Sequence, residues 1–86
     1  MSEQAPVAPM DFSTFVVSLG SSVMMSLKGE HSAAIDLTMA QQSIDILTML
    51  EDKTRGNLSE EELKLLSGVI YQARVAYMEA ESHTRA

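Results

Sequence analysis

The chain has 86 residues, a formal charge of −6 and no cysteine. That length allows one domain near the lower size limit for an independent core. The missing cysteines exclude disulfides and thiolate metal sites, and the acidic balance argues against nucleic-acid backbones and anionic lipid, which are held by Lys and Arg. With two Phe, two Tyr, no Trp and seven Met, the core must be aliphatic and methionine-rich, and oligomerisation is the remaining extra source of stability.

Residues 1–10 read as a flexible leader, because Pro6 and Pro9 oppose helix and sheet pairing. No basic stretch opens it, so it does not read as a secretory signal. A first helix is predicted over 11–28. Asp11 can cap it, Phe12, Val16, Leu19, Val23 and Leu27 recur at helical steps, and Lys28 and Gly29 suit its end. Residues 29–36 form a connection in which Ser32 and Asp36 compete as the next N-cap, Asp36 being preferred.

The second helix is predicted over 37–55. Leu37, Ala40, Ile44 and Leu47 make one stripe, Met39, Ile46 and Leu50 an adjacent face, and Gly56 a left-handed C-cap. Ser59 and Glu62 then form a capping box, with Leu58 placed to staple onto Leu63. The third helix is predicted over 60–81, with Leu63, Leu66, Ile70, Ala73, Tyr77 and Ala80 as a heptad seam and Leu65, Val69 and Ala76 on a second face. The short link between helices two and three forces an antiparallel hairpin. Residues 82–86 are expected to fray. The single domain therefore spans 11–81.

Residues 12–27 carry no charge between Asp11 and Lys28. The run is too short and too rich in Ser and Thr to span a bilayer, and no basic residues line a polar face for interfacial binding. Thr14, Ser18, Ser22 and Ser26 form a small-residue row with Gly20 and Ser21 alongside. A helix apolar on more than one side suits packing against several neighbours. The expected class is thus an all-α three-helix protomer that assembles into an oligomeric bundle, a homodimer or tetramer, through Phe12, Phe15, Val16, Leu19, Val23, Leu66, Ile70 and Tyr77.

No constellation for catalysis stands out. His31 falls in a loop and His83 in the tail, neither near a nucleophile motif. Glu79 and His83 share a helix face but lack a further ligand, and Glu60–Glu62 are accounted for as first-turn residues at the positive helix end. No cofactor, metal or catalytic residue is expected, and the protein is read as not an enzyme.

The stretch "FSTFVVSLGSSVMMSL" and the later "IDILTMLEDKTRGNLSEEE" resemble a family of short bacterial proteins known only as a domain of unknown function. Its members begin with a Phe-x-x-Phe-x-x-Ser-Leu-Gly pattern, here Phe12, Phe15, Ser18, Leu19 and Gly20. Its second pattern maps to Ile44, Asp45, Leu47, Met49, Leu50, Lys53, Thr54, Gly56, Asn57, Leu58, Ser59, Glu61 and Glu62. The resemblance covers nearly all of the chain outside leader and tail. It implies a bacterial, cytoplasmic, helical protein and brings no activity or catalytic residue. The expected role is a non-catalytic, self-associating interaction or scaffolding module. The alternatives are an adaptor holding an unidentified partner's helix in a Met-lined apolar groove, and a membrane-peripheral protein using helix one.

Overall fold

The computed structural model describes residues 10–28 and 36–85. Most of the expected leader, the Gly29 cap, His31 and Ser32 lie outside the described residues. Three helices account for the fold: α1 (Phe12–Lys28), α2 (Leu37–Lys53) and α3 (Glu60–Arg85). No strand occurs among the described residues.

Each start follows from local chemistry. The Asp11 carboxylate accepts the Thr14 N–H (2.8 Å). Asp36 accepts the Met39 N–H (2.9 Å), which makes it the N-cap of α2. The Asp36 N–H in turn donates to the Ser26 carbonyl (2.9 Å), tying the start of α2 to the end of α1. The capping box is complete: the Glu62 N–H donates to the Ser59 hydroxyl (3.1 Å), and the Ser59 N–H donates to the Glu62 carboxylate (2.9 Å). Such caps satisfy amides that the helix leaves unpaired.

Two ends differ from expectation. The α2 helix stops at Lys53, not at residue 55, and Thr54 is its C-cap. The Thr54 N–H and hydroxyl both donate to the Leu50 carbonyl, which closes the last turn two residues early. Gly56 therefore serves the following turn, where its φ of 85° needs a residue without Cβ. The α3 helix does not fray after Glu81 but continues to Arg85. No Gly or Pro interrupts residues 69–85, and Ala80 still packs against the core.

Two core clusters set the topology. Val23, Leu27, Ala40, Ile44 and Ala73 form one; Val16, Leu47, Leu66 and Ile70 form the other. Rising numbers in α1 meet falling numbers in α2 and rising numbers in α3. The α2–α3 hairpin is therefore antiparallel, and α1 runs parallel to α3. Phe12, Leu19, Leu58, Leu65 and Val69 pack around the second cluster, and Leu37, Ala76, Tyr77 and Ala80 around the first. Leu63 lies in the expected seam yet stays 48% exposed, because Leu58 closes the core at that end. Ser43 is buried beside these apolar residues. No buried side-chain polar atom among the described residues lacks a hydrogen-bond partner.

Candidate interaction surface

Of the eight residues expected to form a subunit interface, four are not available to one. Val16, Val23 and Leu66 have no exposed surface, and Ile70 is also buried. These four are the protomer's own core. Phe12, Leu19 and Tyr77 are half-buried against the same clusters. Phe15 keeps 39% of its surface exposed, but two helical positions before Val17 it lies on nearly the opposite side of α1 from the surface described next. The capping residues Asp36, Ser59 and Glu62 act as caps, and Gly56 shapes the turn, as given above.

The apolar surface that remains open lies between α1 and α3. Val17, Gly20, Ser21, Met24 and Met25 of α1 and Leu65, Val69, Gln72 and Ala73 of α3 line a groove of about 630 Å³. Val17, Met24 and Met25 are 48%, 42% and 56% exposed. Gly20 lets the helices close beneath it: a Cβ there would stand 2.8 Å from Val69 Cγ1. The groove contains no ionisable side chain. Ser18, on the adjoining outer face of α1, donates its hydroxyl to the Phe15 carbonyl (2.8 Å) and is satisfied within its own helix.

The cleft between α2 and α3 is different in kind. Gln41, Asp45, Glu51, Asp52, Arg55 and Arg74 line it, and Arg74 crosses it to donate to the Thr48 hydroxyl (2.8 Å). Arg55 pairs with Asp52 (3.3 Å) with both side chains largely exposed, a contact worth little. Among the described residues no group of three or more His, Cys, Asp or Glu side chains is placed to hold a metal, and no helix is long and apolar enough to cross a membrane. The Asp11 carboxyl is held below its ordinary pKa. Hydrogen bonds from the Thr14 side chain and then the Thr14 N–H stabilise its carboxylate and lower the value.

The sequence suggests a Met-lined groove and sets Gly20 beside the small-residue row of α1, but does not single out Val17. The available signal was the uncharged row Val17, Ser21, Met24, set on a different side of α1 from the regular Val16–Val23–Leu27 stripe.

Fold and surface together define a small all-α protein, three helices around one core, with an unpartnered apolar groove between two parallel helices. The chain belongs to the family described as a domain of unknown function (DUF1844), whose model matches residues 9–79. That span contains both stretches that carried the resemblance. Neither the curated proteins nor the solved structures give a match.

Proposed function

We propose that this protein is a non-catalytic interaction module that self-associates through the α1–α3 groove in a bacterial cytoplasm. The observation that carries the reading is the groove's character: exposed Val17, Met24 and Met25 face Leu65 and Val69 over a stretch without charge. A contiguous open apolar surface of this kind marks an interaction site more often than a solvated face. The small size of the core supports self-association, because only nine apolar residues are buried among those described, which gives limited stability to a lone protomer. The cysteine-free composition fits a reducing compartment.

A second reading is favoured by the two methionines, whose flexible thioethers suit varied apolar partners. In that reading the groove holds a helix of another protein. Light scattering on a sizing column over a hundredfold concentration range separates the two. Self-association gives a mass of at least twice the chain's 9.4 kDa. Val17→Glu, which places a charge on an exposed groove wall, returns it to one chain with its helical circular dichroism intact. A wild-type mass of one chain throughout would refute self-association and leave the heterotypic reading.

A further inference from the structure

Resting on self-association through that groove, we infer that the occupant is α1 of a second copy, laid antiparallel to α1 across a two-fold axis. The placement of the charges selects this orientation. Asp11 and Lys28 bracket α1, with no charge between them. Val17, Ser21 and Met24 line the groove, and Lys28 continues their row by helical spacing. On α3, Leu65, Val69 and Gln72 line the groove. Glu61 and Glu79 stand on the same row, one turn before Leu65 and two turns after Gln72.

Because α1 and α3 run parallel, Asp11 shares one end of the groove with Glu60, Glu61 and Glu62 of the first turn of α3, and that end is acidic. Lys28, the one basic residue of α1, stands at the other end beside Glu79, so that end is mixed in sign. A parallel second copy would set the acidic end against its own duplicate. An antiparallel copy sets it against the end that carries Lys28 and brings Lys28 to Asp11 and Glu61. It also opposes the two helix dipoles head to tail. Like-charge juxtaposition selects against the wrong register more strongly than the pair selects for the right one.

The antiparallel register also matches the outer face of α1. With Lys28 opposite Asp11, Met25 falls opposite Thr14 and Ser21 opposite Ser18. The axis passes between residues 19 and 20, flanked by exposed Ser18 and Ser21, which are small enough to allow close approach. A closed, isologous dimer results, in which each α1 fills the other copy's groove.

The cysteine-free chain makes the test direct. Ser21→Cys and Thr14→Cys are made separately in the full chain, the dimer is verified by light scattering, and disulfide formation under mild oxidation is followed on non-reducing gels. Ser21 lies within about 5 Å of its copy along the axis, by helical rise, and Thr14 about 16 Å from its own. A disulfide needs Cα atoms within about 7 Å. Rapid crosslinking of Ser21→Cys with none for Thr14→Cys is expected. Lys28→Glu is expected to weaken the dimer about tenfold, and adding Glu61→Lys to restore it. Equal crosslinking at both positions would mean parallel packing and overturn the inference while self-association stands. A dimer that crosslinks at neither position would overturn it in favour of another face. A single-chain mass at every concentration would remove both this inference and the self-association beneath it.

Discussion

Glycine is the residue least suited to a helix interior, costing about 1 kcal/mol relative to alanine, and α1 and α3 each carry one. The structure separates them. A Cβ at Gly68 meets nothing within 4 Å, whereas one at Gly20 would come to 2.8 Å from Val69 Cγ1, well inside the 3.4 Å at which ordinary contact begins. Val69 cannot swing clear, since a β-branched residue in a helix has one strongly favoured rotamer. Relief at Gly20 must come from moving the helices apart, an overpacking cost of about 1–3 kcal/mol. Gly68→Ala should therefore stabilise by about 1 kcal/mol, raising the melting temperature by about 4–8 °C for a domain of this size. Gly20→Ala should range from neutral to about 2 kcal/mol destabilising. Urea titrations at one protein concentration measure both, with unchanged m confirming that stability alone has moved. Adding Val69→Ala should recover much of the loss at Gly20, and the double-mutant cycle isolates that pair. If Gly20→Ala stabilises as much as Gly68→Ala, α1 and α3 do not meet at Gly20 and the groove built on their contact is wrong.

Two further predictions concern the caps. Ser59→Ala should cost about 1 kcal/mol in denaturant titrations, because it leaves the Glu62 amide without its acceptor; Glu62→Gln should cost less, since Gln can still accept from the Ser59 N–H. Asp11 has a folded pKa below its unfolded value, so its contribution is fully present above the ordinary carboxylate value and is lost as pH falls through the lower, folded one. Comparison of melting curves between pH 6 and pH 2 should show part of the acid sensitivity disappearing in Asp11→Asn, which keeps an acceptor for Thr14 but does not titrate; identical acid sensitivity in both proteins would remove Asp11 from the explanation.

The parts legible in the sequence are those decided within one helical turn. Asp36 with Met39, and Ser59 with Glu62, are contacts three residues apart, so residue type and spacing alone specify them. The stripes Val16–Val23–Leu27 and Ala40–Ile44–Leu47 were equally plain as faces. What periodicity does not state is which face turns inward when a helix has more than one. In α1 the most regular stripe suggests a subunit contact, yet its Val16, Val23 and Leu27 are the protomer's own core. The residues left outside, Val17, Met24 and Met25, form a less regular set whose meaning depends on where α3 lies. Thr54 was hidden for a related reason: its hydroxyl bond to Leu50 ends α2 early, while the nearby glycine gave the stronger stop signal.

The lack of charge along α1 has a physical consequence that neither of the other helices shares. On α2, exposed Asp45, Asp52 and Lys53 keep the outer side in water, and on α3 exposed Glu61, Lys64, Arg74 and Glu79 do the same. Removing any of these charges from water without a partner costs several kcal/mol. The outer side of α1 carries hydroxyls, and a hydroxyl that bonds back to its own helix, as Ser18 does to the Phe15 carbonyl, needs no water to be satisfied. A small protein whose core is already closed by three helices therefore keeps one helix that can be covered on another side at low electrostatic cost. The charges that would oppose this are confined to its two ends, where their signs differ.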